Sequence, residues 1–250
     1  MPQDEIPNPE PDSTQAPMLS TRHNNPALQR ELELLRQRLV QEASTAIGML
    51  ETAVEALFTL DESLARSVVR RDDDVDAEEV AIEESCYRVL ALFSPVARDF
   101  RTVAMFLKVN ADLERIADHA TSIAKQSIKL KGLQAGKLPT ALTEMAQRVP
   151  IICQTLLQAL LNTNTEAARN VVMRDTDIDR LDKQLFVECV DMMGSDRESK
   201  AIGIICYRCG RELERIGDLM VNIAEDVIYL AGGQIVRHEI KRQLKAQGKM

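Results

Sequence analysis

The segment Asp112-Leu113-Glu114-Arg115-Ile116-Ala117-Asp118 returns 100 residues later as Glu212-Leu213-Glu214-Arg215-Ile216-Gly217-Asp218. Each copy carries Glu-x-x-x-Asp, and on a helix positions i and i+4 are neighbours on one face. Glu114 is thus set beside Asp118, and Glu214 beside Asp218. A second spacing of the same kind lies upstream of each copy, Asp72-x-x-x-Asp76 and Asp175-x-x-x-Asp179. If the two helices of the first half form a hairpin turning at Pro95, Asp76 and Glu114 are each 19 residues from the turn, and Asp72 and Asp118 each 23. In the second half Asp179 with Glu214, and Asp175 with Asp218, share a midpoint between Asp196 and Arg197. This register gathers four carboxylates at one level of each hairpin. Clustered anions repel unless cations hold them, and hard oxygen donors suit Mg²⁺, Ca²⁺, Mn²⁺ or iron. The plainer alternative is a solvated face with ion pairs inside each helix. The matching flanks establish duplication and do not decide between the two.

Other chemistries find less support. A ferritin-type di-iron oxidase needs Glu-x-x-His, but the residues three before His23, His119 and His238 are Ser20, Ile116 and Ile235. No Gly-rich phosphate loop and no nucleophile with an attendant base is present. Cys206-x-x-Cys209 lies in an apolar helical stretch with no second cysteine pair at zinc spacing, which reads as buried structural thiols. The counterpart of His119 in the repeat is Leu219, and a lone His is more often an ordinary surface or supporting residue than a phosphotransfer group. The basic stretch Arg237, Lys241, Arg242, Lys245, Lys249 reads as a solvated end.

The elements that must position these carboxylates are long helices. Apolar residues at 28, 32, 35, 39, 43, 46, 50, 53, 57, 60 and 64 step by three or four. Asn25-Pro26 reads as N-cap and N1, and Asp61-Glu62-Ser63 as the start of the next helix. That second helix has the line Val68, Val75, Ile82, Val89 and ends near Ser94-Pro95. A third runs from about Val96 to Lys131. Pro139 begins a fourth, which Pro150 is expected to kink or break. A fifth carries Val171, Ile178, Leu185, Met192, and a sixth runs from Ile202 to Leu230 before Gly232-Gly233. The offset between halves is 103 residues for the second and fifth helices and 100 for the third and sixth, which places a three-residue shortening at the later turn. The fold expected is all-α, a tandem duplication of an antiparallel three-helix bundle. The repeats would span 25–136 and 137–232, between a disordered tail at 1–24 and a basic tail at 233–250.

Composition narrows the setting. With no Trp, 3 Tyr and 5 Phe against abundant Leu, Ala, Ile, Val and Met, the chain suits helix packing better than a sheet sandwich. A net charge of −8 argues against nucleic acid as a partner. No apolar run of membrane-spanning length occurs, and the N-terminus lacks the regions of a signal peptide. Five cysteines without framework spacing read as reduced thiols in the cytoplasm.

Asp112-Leu113-Glu114-Arg115-Ile116-Ala117-Asp118-His119-Ala120, preceded by Pro95-Val96-Ala97-Arg98-Asp99-Phe100-Arg101, resembles the signature of the PhoU family of bacterial phosphate-signalling accessory proteins. The resemblance covers about residues 28–232. It implies two three-helix bundles and multinuclear metal sites, with iron or with Mg, Mn, Zn or Ca. Carried over, these fall on Glu114, Asp118, Glu214 and Asp218, with Asp72, Asp76, Asp175 and Asp179 as partners. It further implies a non-enzymatic negative regulator of the phosphate-starvation response, in contact with the phosphate transporter's ATPase subunit and a sensor histidine kinase, commonly as a homodimer. Arg98, Asp99 and Arg101 are the expected partner contacts. The alternatives are a metal-dependent enzyme on a helical bundle, or a plain helical scaffold. The chain departs from strict duplication at Leu219 for His119, at Glu225 for Lys125, and at Ser195-Asp196-Arg197 where the first half has Pro95–Arg101.

Overall fold

Four of the six helices begin where a polar side chain takes up amide N–H groups that have no carbonyl partner within the helix. Asn25 accepts from Ala27 and Leu28, Asp61 from Ser63 and Leu64, Asn164 from Glu166 and Ala167, and Asp196 from Ser199. The computed structural model describes residues 25–133 and 136–233. The expected N-terminal tail and the basic stretch after Gly233 lie outside them. The helices are α1 (Pro26–Thr59), α2 (Glu62–Phe93), α3 (Ala97–Lys131), α4 (Thr140–Asn162), α5 (Thr165–Met192) and α6 (Arg197–Gly232), with no strand among the described residues.

The stripes read from the sequence are the buried faces. Leu28, Leu32, Leu35 and Leu39 of α1 are buried, as are Val68, Val75, Ile82 and Val89 of α2. On α3 the buried face runs from Val103 through Leu113 to Ser127, and on α6 from Ile202 to Val227. Burying a Leu, Ile or Met side chain contributes roughly 1.5–3 kcal/mol, so these stripes are the main force assembling the bundle. α1, α2 and α3 pack on one another, and so do α4, α5 and α6. The two units then join through α3 against α6 and α1 against α4. The motif helices therefore lie at the junction of the units.

Two expectations need comment. Of the kink or break expected at Pro150, the break does not occur: α4 is continuous from Thr140 to Asn162. Proline removes one N–H, while Val149 and Ile152 on either side stay buried. The shortening of the second unit also falls elsewhere than in the turn. The segment joining α5 to α6 has four residues (193–196), against three (94–96) between α2 and α3, and it is α5 that ends early. Gly194-Ser195-Asp196 favours a turn and a cap over a further helical turn.

Candidate metal centre

In the first unit α2 packs against α3 and the expected carboxylates act on one another through their charges. Thr121 donates a hydrogen bond of 3.0 Å to Asp72 Oδ1. Burial raises the Asp72 carboxyl, and the charges of Asp118 and Asp76 raise it further. Glu114 is pushed up to about 7, first by burial and then by Asp118, Glu79 and Asp76. Both level-matched pairs, Asp72 with Asp118 and Asp76 with Glu114, thus sense each other's charge. Asp76 and Asp118 are exposed, while Asp72 and Glu114 are half-buried.

The structure adds two carboxylates from outside the motifs. Glu79, one turn beyond Asp76, is raised by burial and by Glu83 and Asp76. Glu42 enters from α1 and is only 2% exposed. Neither of its carboxylate oxygens has a hydrogen-bond partner among the described residues. Burial, then Glu78 and Glu79, push it up to about 8. The nearby Arg38 is committed elsewhere, at 2.8 Å from Glu78 Oε1.

The second unit is built differently. Asp175 is buried on α5 against Gly217, where a Cβ would lie 2.8 Å from Asp175 Oδ1. Glu214 is raised by burial and by Asp218 and Asp182, against the opposing pull of Arg211. Arg211 Nη1 reaches Asp182 Oδ2 at 3.0 Å and Glu214 Oε1 at 3.2 Å. Asp179, the residue level with Glu214 by counting, is half-buried. Asp182, one turn further, is the α5 residue that shares a cation with Glu214. Asp218 is exposed and lines a cavity of about 330 Å³ with Arg115, Arg215 and Glu225.

Among the described residues, no group of three His, Cys, Asp or Glu side chains is placed to hold a metal ion. The donors share a level without closing round a point. Their chemistry nevertheless fits a hard cation: every donor is a carboxylate oxygen, several carry pKa values raised first by burial and then by the like charges near them, and Glu42 has buried oxygens with no partner. A bound cation would offset that repulsion and cross-link the helices that carry the donors. Cys206 and Cys209 are buried free thiols, and burial pushes Cys206 up to about 11.

A separate polar cluster ties the units together. His119 Nδ1 lies 2.7 Å from Glu212 Oε2, and Ser122 donates to Glu212 Oε1 at 2.9 Å. Arg215 adds an ion pair to the same carboxylate at 3.5 Å. Lys108 pairs with Asp226 across the same junction.

The Pro95–Arg101 turn stands apart from the carboxylates. Leu92 is 71% and Val96 69% exposed, and Phe100 and Arg98 are exposed beside them. Arg98 and Asp99 line a cavity of about 390 Å³ with Arg36, Thr102, Phe106 and Leu230. Arg101 turns inward next to Gly233, its Nε buried without a hydrogen-bond partner.

Glu42, Glu79, Asp182, Arg211 and Glu212 were not singled out by sequence reasoning. For Glu42 a signal existed. It stands three residues after Leu39 and four before Ala46, inside the apolar stripe. Glu79 and Asp182 hold one position of the repeat, 103 residues apart, each four residues past a buried residue of the heptad line (Val75, Ile178). Arg211 gave no such signal.

A six-helix array of two like units, each with a band of paired carboxylates where its helices meet, defines a class of duplicated helical-bundle protein with an acidic centre in each repeat. The sequence model of the PhoU domain matches the chain twice, over residues 39–127 and 142–227. The phosphate-specific transport system accessory protein PhoU homolog of Deinococcus radiodurans is 34% identical over 207 residues, covering 83% of this chain and 97% of that protein. The homolog of Pseudomonas aeruginosa is 35% identical over 223 residues, 87% of this chain and 90% of that one. The crystal structure of PhoU from Pseudomonas aeruginosa superposes with a TM-score of 0.78 at 33% identity, covering 83% of this chain and all of the other. The phosphate transport system regulatory protein PhoU from Streptococcus pneumoniae gives 0.77 at 28% identity, covering 84% and 99%. The chain belongs to the PhoU domain family.

Proposed function

We propose that this protein is a non-enzymatic, metal-binding accessory of phosphate uptake and signalling that acts in the cytoplasm. It restrains the phosphate-starvation response through contacts with a phosphate transporter's ATPase subunit and a sensor histidine kinase, and works as a homodimer. The relatives' names as accessory and regulatory proteins of phosphate transport carry this reading. No helix among the described residues is long and apolar enough to cross a membrane, which is in keeping with a role at a transporter's inner face. Glu114, Asp118, Asp72 and Asp76 hold the metal of the first unit, and Glu214, Asp218, Asp175 and Asp179 that of the second. The metal is iron, or Mg, Mn, Zn or Ca. Binding cross-links the helices and sets the shape presented to partners. The exposed turn with Leu92, Val96, Arg98 and Phe100, flanked by Asp99 and Arg101, is the partner surface.

The test is a pull-down of the ATPase subunit and the sensor kinase, with metal and after chelation. Capture of both, lost in Arg98→Ala/Phe100→Ala, supports the reading. Capture of neither overturns the partner assignment. Metal analysis of protein purified without chelator tests the sites separately. Absence of metal, with no rise in melting temperature on metal addition, removes them.

A further inference from the structure

The repeat lets each outer face be compared with its counterpart in the other unit. The offset of 103 residues carries the buried stripe Leu39–Leu57 of α1 onto Leu142–Leu160 of α4, with Met145 at the place of Glu42, and carries Ile82 of α2 onto Leu185 of α5. One position beyond that last pair the two units part. Glu83 and Tyr87 of α2 correspond to Phe186 and Val190 of α5. In the first unit Tyr87 donates a 2.7 Å hydrogen bond to Glu83 Oε1, an exposed polar pair. In the second unit Phe186 is 54% and Val190 50% exposed, and Val187, at the place of Glu84, is exposed beside them. The fold therefore does not require apolar side chains at these positions.

The neighbouring helix continues the patch. Phe186 meets the ring of Tyr207 edge-on, with centroids 5.7 Å apart and planes at 71°, and Ile204, one turn before Tyr207, is exposed. Gly203 lies against Cys189 and Met193, which sets Ile204 level with Val190. Phe186, Val187, Val190 and Ile204 together leave roughly 400 Å² of apolar surface, an extent that on monomers often marks a binding site. Cations surround it. Lys200 and Arg208 stand one turn to either side of Ile204, and Lys183 one turn before Phe186 and Val187, all exposed. Lys183 and Arg208 have no ion-pair partner among the described residues, and Lys200 donates to the Ser195 carbonyl at 3.2 Å. Asp182, one turn before Phe186, is already held by Arg211. Asp191, one turn beyond Val187, is the exposed acid at the far margin.

We propose that this face of α5 and α6 docks an amphipathic helix of a partner protein, apolar along one side and acidic on both flanks. Two adjacent helices with an apolar outer face receive a third through anchors at i, i+3 and i+4. The Lys and Arg rim selects the acidic flanks. The apolar area is about half of the ~800 Å² that each partner buries in a stable complex, which suits a short helix and is too little for a second copy of the chain. Asp218, two heptads beyond Ile204 on the same side of α6, is exposed, and the chain carries a net charge of −8. A flat anionic membrane would meet that carboxylate, whereas a helix of two or three turns stops short of it. The surface belongs to the second unit, apart from the turn between Leu92 and Phe100, and does not depend on the reading given for that turn.

The experiment uses the full chain and, as probe, a fluorescein-labelled peptide of about 18 residues, long enough to hold a helix, with Leu at i, i+3, i+4 and i+7 and Glu on both flanks. Fluorescence anisotropy should show saturable binding with a Kd below about 100 µM. Phe186→Glu/Val190→Tyr copies the polar pair of the first unit, so its melting temperature should stay near that of the native protein while peptide affinity falls by about tenfold or more. Lys183→Glu/Arg208→Glu should weaken the Glu-flanked peptide and strengthen a Lys-flanked one. No binding, equal binding of the two peptides by native protein, or native affinity in Phe186→Glu/Val190→Tyr overturns the inference. So does either result that gives the face to another occupant: vesicles of phosphatidylglycerol and phosphatidylcholine that sediment native protein and not this variant, or a native dimer that this variant dissociates.

Discussion

Replacing Glu42 by methionine should stabilise the metal-free protein, and by an amount that depends on pH. In the fold, burial and the charges of Glu78 and Glu79 move this carboxyl from 4.5 to about 8. The unfolded chain returns it to its ordinary value. Between these two values the folded state holds a proton that the unfolded state has released. Stability therefore falls as pH rises through this window, by about 1.4 kcal/mol for each pH unit. From pH 4.5 to pH 8 the wild type loses roughly 4 kcal/mol through this one group. Methionine has no such group, is close to glutamate in length, and is the residue the fold already uses at position 145. Glu114, pushed up to about 7, adds a slope of its own, and because its charge also raises Glu42, that slope is expected to be shallower in Glu42→Met. The assay is urea unfolding in excess chelator at pH 5 and pH 8. The two proteins should be within about 1 kcal/mol of each other at pH 5. At pH 8 Glu42→Met should be more stable by several kcal/mol. Parallel pH profiles would refute the claim that Glu42 is an uncompensated buried acid.

Gly203→Ala should cost about 1–3 kcal/mol in the unfolding free energy, because a Cβ there would lie 2.7 Å from Met193 Cγ and 3.1 Å from the Cys189 carbonyl oxygen. A double-mutant cycle of Glu212→Gln with Ser122→Ala should give a coupling of about 0.5–1.5 kcal/mol. Zero coupling would mean that the contact between α3 and α6 contributes nothing to stability. All five cysteines are buried free thiols, so a thiol reagent should label them only at the rate of global unfolding. Fast labelling of Cys206 or Cys209 in native protein would show that this part of α6 opens locally.

The helices were legible because each one's apolar period is a local property. Leu28 to Leu57 and Ile202 to Val227 repeat every three or four residues, Val68 to Val89 every seven, and burial follows those repeats. The caps were legible at Asn25 and Asp61 for the same reason, since a side chain reaches amides only two or three residues away. That α4 runs on through Pro150 was not legible, because whether proline ends a helix depends on what packs beside it. Of the site, the motif pairs and their levels across the first hairpin followed from counting along two helices joined by a short turn. Glu42 was missed although it lies in the stripe, since a stripe is read from its apolar members and a charged residue inside one looks like an interruption.

Periodicity, capping and duplication, all carried by neighbours along the chain, were enough to determine six helices, two like units and four carboxylates in each hairpin. Only tertiary structure decided what stands opposite those carboxylates. Glu42 comes under the charge of Glu79 because α1 packs on the α2–α3 hairpin, and Arg211 reaches Asp182 because α6 lies along α5. His119 finds Glu212 from 93 residues away because α3 and α6 join the units. Each of these contacts depends on how helices distant in sequence turn their faces to one another. That orientation is set by the packing of whole faces, and no single helix encodes it.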